Sequence, residues 1–416
     1  MNQCSANSRT DSARPSVISF AQALAPLGRE EFLADYWGQN YLRVPGEPGK
    51  FSALMNWCEL ERLLEEQRFH GTRLRLFQNG KALPPEQFLI EQPLGPVVNA
   101  AGLLNALSAG ASLVLSGVQG SFPGIRAFAD SLEAELQLHT WVNLYAGWRT
   151  QQAFDLHWDD HNTLILQVAG RKRWQVFRPT VWHPLKEMPG DPAARPTEPP
   201  VWEGVLEEGD LLYMPRGWWH MACPLDEPSL HLTFSNDPGH GTGLLKWLAG
   251  QLSAHAEVRR DLPHLAGPAA QQQYLARVRE LVAEALQGEV IERYLASTQT
   301  LCAPRPEVSL ARLNAGRGVS LSPLTKVRLT TARRLAFEGL AKNTGGIVRF
   351  RAGDKWMQCA GGLVPALQGL GTVPVAVAEL GRRLPDPAAM AQLTLLLASL
   401  LAAGVLAVEP GADPTA

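Results

Sequence analysis

Closely spaced cysteine pairs are missing from this chain. Cys4, Cys58, Cys223, Cys302 and Cys359 are scattered and odd in number. That excludes a thiolate metal cluster, argues against a disulfide framework and fits a reducing cytoplasm. An excess of charge of either sign is missing too. Lys and Arg total 38 against 40 Asp and Glu, a net charge of −2, so no generally nucleic-acid-coating surface is expected, although a local basic patch is compatible with it. Long uninterrupted apolar runs are also lacking. Residues 17–25 are mildly apolar, but Gln22 interrupts them and no Lys- or Arg-rich stretch precedes them, so no secretory signal is expected. Residues 390–408 are uncharged, yet Gln392, Thr394, Ser399 and Gly404 break them up. They read as a buried helix running into a short Val-Leu-Ala-Val strand, with no membrane span.

What is present is the composition of a soluble globular protein, 416 residues long, 45% hydrophobic and 19% charged, which suggests two or three domains. Residues 1–17 are polar and read as disordered. Residues 30–37, 57–69 and 124–138 have helical spacing, residues 112–118 suit a buried strand, and Asn79-Gly80 marks a hairpin turn. A β-rich centre covers about 139–236, with strands expected at 139–145, 163–168, 172–177, 211–214 and 230–234. Its Pro-rich stretch at 184–200 reads as a surface loop. Short strands between Gly and Pro turns suggest a small antiparallel barrel or sandwich. Helices are expected at 244–255 and 269–294, with an apolar stripe that serves either self-association or packing on the same chain. After a linker at 301–324, residues 325–416 read as a compact α/β module: helices, a hairpin at Gly353-Asp354, then helices at 375–383 and 388–403. This module carries ten Lys and Arg against six Asp and Glu, and without a basic recognition helix DNA binding is not expected.

The chemistry gathers in His157-Trp158-Asp159. In an extended segment, positions i and i+2 project from one face, so the imidazole and the carboxylate can meet at one point. A third ligand is offered by His220, at the end of the stretch that begins at Gly209-Asp210 and runs through Pro215-Arg216-Gly217-Trp218-Trp219. Two imidazoles and one carboxylate that leave coordination positions open suit a non-haem iron(II) oxygenase, whereas structural zinc prefers a closed shell rich in thiolates.

The spacing of Gly209, Pro215, Gly217 and His220 resembles the second cupin motif, although Pro224 stands where that motif would carry Asn. Joined to His157 and Asp159, the pattern resembles the Jumonji-C branch of the 2-oxoglutarate oxygenases, and within it the ribosomal oxygenases, which hydroxylate an arginine or histidine of a ribosomal protein. The resemblance covers most of the chain from about Phe32 and is specific between Val142 and Ser235. It implies an α+β fold in which a double-stranded β-helix (residues 18–238) is followed by a helical dimerisation segment (239–300) and, after the linker, by a winged-helix-like domain (325–416). It implies iron(II), 2-oxoglutarate and O2, with His157, Asp159 and His220 as metal ligands. Lys172 matches the basic residue that pairs with the far carboxylate of 2-oxoglutarate; Tyr145 and Thr233 match hydroxyls that help hold it, and Asn143 shares the face of Tyr145.

Beside these stand plainer readings. A lone His-x-Asp pair often caps or is solvated, Lys172 is otherwise a solvated hairpin lysine, and Tyr145 and Thr233 are otherwise strand residues with satisfied hydroxyls. His231, two residues from Thr233, either lines the pocket or is a core imidazole. Trp218 and Trp219 read as packing. At the level of function, the alternatives are a Jumonji-C oxygenase acting on another protein, a peptide or a small molecule, a lysine demethylase, which the lack of a histone-reading module disfavours, and a non-catalytic metal-binding scaffold. The expected partners are a polypeptide substrate and a second copy of the chain, and the expected location is the cytoplasm.

Overall fold

A computed structural model describes residues 18–186, 188, 195–298, 321–338, 346–352 and 355–408. The expectations for 1–17, for most of the 301–324 linker, for the turn at Gly353-Asp354 and for part of the 184–200 loop fall outside the described residues. Two compact units are present. The first runs through Leu136 and then over Thr140–Asp237, and the second holds Gln137–His139 and the chain from Pro238.

In the first unit a short helix, Phe20–Leu24 (α1), is followed by one turn at Arg29–Glu31 (α2), a wider turn at Phe32–Tyr36, and the strand Leu42–Val44 (β1). Helix Trp57–Glu66 (α3) starts in a reciprocal cap between Asn56 and Glu59 and buries Leu60 and Leu63. Strands Leu74–Gln78 (β2) and Lys81–Ala82 (β3) flank Asn79 and Gly80, which both have positive φ, as the sequence signal requires. A two-strand pair, Leu89–Ile90 (β4) with Val97–Val98 (β5), precedes helix Ala100–Ser108 (α4), strand Ser112–Ser116 (β6) and helix Pro123–Leu136 (α5).

The centre holds Trp141–Gly147 (β7), Asn162–Ala169 (β8), Lys172–Phe177 (β9), Trp202–Leu206 (β10), Leu211–Met214 (β11), Trp219–Pro224 (β12) and Ser229–Asn236 (β13). Strands β9 and β11 match the sequence expectation residue for residue, whereas β10 and β12 are additions to it. They assemble into an eight-stranded sheet, β1-β11-β8-β13-β7-β6-β2-β3, and a three-stranded sheet, β10-β9-β12.

Strand alternation gives the large sheet two different faces. Val142, Leu144, Leu164, Leu166, Leu230, Leu232 and Phe234 point to the outer face, where they join Phe20, Leu60, Leu103, Ile125 and Phe128 of the helices in one apolar core. The opposite face carries Asn143, Tyr145, Thr163, Ile165, His231 and Thr233. Cross-strand register aligns them, with Tyr145 opposite His231 and Asn143 opposite Thr233. A second core joins Ile165, Leu212 and Met214 of this inner face to Trp174, Val176 and Leu206 of the small sheet. This inner space, between the two sheets, contains the candidate functional site.

The second unit begins with helices Gly241–Leu252 (α6), Ala256–Arg259 (α7), Gly267–Ala285 (α8) and Val290–Thr298 (α9). The single helix expected at 269–294 is therefore two, separated by a turn in which Gly288 has φ of 70°. From residue 325 the structure also departs from the expected order. Strands precede the helices: Lys326–Leu329 (β14), Ala336–Glu338 (β15), Ile347–Ala352 (β16) and Lys355–Ala360 (β17), before Val364–Leu367 (α10). Thereafter come Val375–Ala376 (β18), Val377–Gly381 (α11), Met390–Ala402 (α12) and Leu406–Val408 (β19). Leu393, Leu397 and Leu400 of α12 are fully buried. No helix of the described residues is long and apolar enough to cross a membrane.

Candidate metal centre and cosubstrate pocket

His157 and His220 lie on different segments, yet their main chains pair directly. The His157 N–H donates to the His220 carbonyl at 3.2 Å and the His220 N–H to the His157 carbonyl at 2.7 Å. The Gly217 N–H donates to the Asp159 carbonyl at 2.9 Å, tying the third residue to the turn before β12. One ligand atom from each of His157, Asp159 and His220 lies within 4.8 Å of the others, an arrangement able to hold a metal ion. The Asp159 carboxylate and His220 Nε2 are 3.7 Å apart.

The donor chemistry fits an iron(II) ion. His157 Nδ1 lies 2.7 Å from the Asp155 carbonyl and His220 Nδ1 lies 3.1 Å from the Trp218 carbonyl. Since a carbonyl only accepts, each Nδ1 carries the proton and each Nε2 keeps its lone pair, the tautomer a metal ligand needs. Burial works against the charge of Asp159, but His220, His161 and His157 outweigh it and hold the carboxyl below its ordinary range. Burial, aided by His157, holds His220 down to about 4, which keeps its ring neutral.

A cavity of about 260 Å³ opens from these three residues into the space between the sheets. Lys172, only 7% exposed, also lines it. Burial brings its ammonium down to about 8, with a small opposing influence from Cys223. Among the described residues no carboxylate pairs with it, and its Nζ lies 5.9 Å from the centre of the Trp174 ring. Tyr145 and Thr233 line the same cavity. Burial, and then Asp159, push the Tyr145 hydroxyl up to about 12, so it remains a neutral donor.

Asn143 does not line the cavity; it shares the strand face of Tyr145 and stands opposite Thr233. His231, left open by the sequence, is 3% exposed and forms part of the wall. Arg75, Phe154 and Trp174 also line the cavity without having been singled out. Trp174 follows Lys172 by two residues on the same strand face, a legible signal, whereas Arg75 arrives only through the β7-β6-β2 strand order. Asp160 turns away to His161 Nδ1 at 2.8 Å. Trp218 packs between the sheets, and Trp219 donates from Nε1 to the Thr180 hydroxyl at 2.9 Å.

Residues 123–241 match the model of the JmjC domain family. Ribosomal oxygenase 1 of Gallus gallus is 30% identical over 233 residues, covering 54% of this chain and 38% of that protein. The bifunctional lysine-specific demethylase and histidyl-hydroxylase NO66 of Drosophila persimilis is 29% identical over 231 residues, covering 52% and 31%. The chain thus matches well under half the length of these curated relatives. The crystal structure of Escherichia coli ribosomal oxygenase YcfD has the same fold, with a TM-score of 0.55 at 17% identity, over 92% of this chain and 98% of that one. Another structure of YcfD, in complex with cobalt and 2-oxoglutarate, matches equally well, with a TM-score of 0.55 over 92% and 99% of the two chains. Residues 123–241 thus match the JmjC domain family, and by sequence the chain is similar to the ribosomal oxygenase and NO66 proteins.

Proposed function

We propose that this protein is an iron(II)- and 2-oxoglutarate-dependent oxygenase that hydroxylates an arginine or histidine side chain of a ribosomal protein. The observation that carries the reading is a cavity with a three-residue ligand cluster at one part of its wall and a buried cation, Lys172, at another. The named relatives include ribosomal oxygenase 1 and a histidyl-hydroxylase, which supports the reading of the substrate.

His157, Asp159 and His220 would hold iron(II), which supplies oxygen activation coupled to decarboxylation of 2-oxoglutarate. Lys172 would pair with the far carboxylate, since a dianion entering a partly dry barrel needs a cation there. Tyr145 and Thr233 would donate hydroxyl hydrogen bonds to the same group, with Asn143 orienting the Tyr145 hydroxyl. Ile165, Trp174 and Phe154 would exclude water and limit the poses open to the bound acid.

The second unit suits an auxiliary role. Leu245, Leu262, Leu265, Leu275 and Ile291 of the helical region are exposed apolar side chains that a second copy would cover in a homodimer. Strands β14, β18 and β19 with helices α10 to α12 would form the winged-helix-like domain, serving protein contact.

The test is to incubate the iron-loaded protein with 2-oxoglutarate, O2 and an intact ribosomal-protein pool, and to follow polypeptide mass. A gain of one oxygen on one protein is expected. Succinate released with no modified polypeptide would overturn the ribosomal substrate and leave the oxygenase standing. No binding of 2-oxoglutarate would overturn both.

A further inference from the structure

Six rings close a hoop around the cavity. His157 and His220 are 4.3 Å apart between centres, His220 and Trp174 6.1 Å, Trp174 and His231 5.6 Å. The hoop continues from His231 to Tyr145 at 4.8 Å, to Phe154 at 6.2 Å, and back to His157 at 5.7 Å. Within it His231 lies almost flat on Tyr145, at 7° between planes, and edge-on to Trp174, at 73°. These contacts fix the plane of the imidazole, and its nitrogens can bond only within that plane.

The ring is an unusual choice for packing alone. Its Nδ1 is buried without a hydrogen-bond partner among the described residues, and so is Nε1 of Trp174 beside it. A phenyl ring would fill the same slot with no polar atom left unpaired. Burial, reinforced by the Lys172 charge, keeps the imidazole neutral, so one of its nitrogens carries a hydrogen to donate. The group that accepts several such bonds in one place is a carboxylate, with about four lone-pair sites. In the reading above, Lys172, Tyr145 and Thr233 supply three donors.

We propose that His231 supplies the fourth, donating from a ring N–H to the far carboxylate of 2-oxoglutarate, and so sets the preference of the pocket for a diacid over a monoacid. This rests on the 2-oxoglutarate reading and adds to it a residue that selects the acid. The hoop holds the imidazole in place before the acid arrives, so little ordering accompanies the bond.

The experiment is calorimetric titration of the full chain loaded with Mn(II), without oxygen. The ligands are 2-oxoglutarate and 2-oxopentanoate, which has the same five-carbon chain but no far carboxylate. His231→Phe keeps a ring in the hoop and removes only the nitrogens. Its Kd for 2-oxoglutarate is expected to rise by about tenfold or more, its Kd for 2-oxopentanoate to stay within about twofold, and its ligand-free melting temperature to hold or rise. His231→Gln, which restores a neutral donor, should recover part of the loss. A His231→Phe protein that binds 2-oxoglutarate like the parent, or that loses equally toward both acids, would overturn the proposal. If the parent itself binds no 2-oxoglutarate, the reading of the pocket falls with it, and that control separates the two failures.

Discussion

His157 and His220 are main-chain partners before they are neighbours in the ligand cluster. Their two reciprocal hydrogen bonds, at 3.2 and 2.7 Å, hold the imidazole centres 4.3 Å apart. The spacing of two of the three ligands is therefore set by backbone, and it does not depend on either side chain keeping the other in place.

Replacing His157, Asp159 or His220 by Ala should leave that bridge and the fold intact while removing one ligand. Turnover is expected to fall by about a hundredfold or more, with loss of stoichiometric iron and little change in melting temperature. Metal analysis alongside succinate release checks this. Parental turnover in all three variants would remove these residues from the metal site.

Lys172→Ala should act mainly on the cosubstrate. KM for 2-oxoglutarate is expected to rise roughly thirtyfold or more, with a smaller change in kcat. Initial rates across a wide range of 2-oxoglutarate concentration separate the two effects, and an unchanged KM would place the far carboxylate elsewhere.

The same lysine predicts a pH dependence of binding. Its ammonium titrates at about 8 in the ligand-free pocket, and a dianion favours the protonated form. Affinity for 2-oxoglutarate should be level below that pH and decline about tenfold per pH unit above it. Binding should take up protons near pH 8, seen as a dependence of the calorimetric heat on buffer ionisation enthalpy.

For ligand-free stability the sign is opposite to that of a paired lysine. Because folding lowers this pKa from 10.5, burying the charge costs its full amount below about pH 8. That cost shrinks as pH rises from 8 to 10.5. Lys172→Met should therefore stabilise the ligand-free protein at pH 7, by at most about 3 kcal/mol, and the gain should fade by pH 10.5. Denaturation series at the two pH values test it.

Asp210 carries a structural rather than a chemical load. It is 1% exposed and accepts from Arg43 at 2.7 Å, the Gly46 N–H at 2.9 Å and the Glu207 N–H at 3.1 Å. Asp210→Ala should lower unfolding free energy by about 3 kcal/mol while leaving KM for 2-oxoglutarate unchanged. Urea denaturation and steady-state kinetics together distinguish the two.

Much of this site was legible because strand alternation is a local property. Lys172–Phe177 alternates, with Lys172, Trp174 and Val176 buried, and Leu211–Met214 is a short apolar run bounded by Gly209-Asp210 and Pro215, so the limits of both follow from local pattern. Strand β12 was not legible, since its Trp-His-Met-Ala-Cys-Pro run lacks alternation and ends in proline. Strand β10 directly follows the Pro-rich stretch and was hidden by it. The break between α8 and α9 rests on one left-handed glycine inside a strongly helical composition. Arg75 reaches the cavity from a segment distant along the chain, so only the sheet order brings it there, whereas Phe154 stands three residues before His157 and is carried in by the path of that loop.

The division of labour between the two sheets has a mechanical consequence. His220 and Lys172 belong to the three-stranded sheet, while Tyr145, His231 and Thr233 belong to the eight-stranded one. An acid lying between them is gripped by two separate jaws. A slight parting of the jaws would loosen its hold on the far end without disturbing the distance from His220 to Lys172, because one stiff plate carries both.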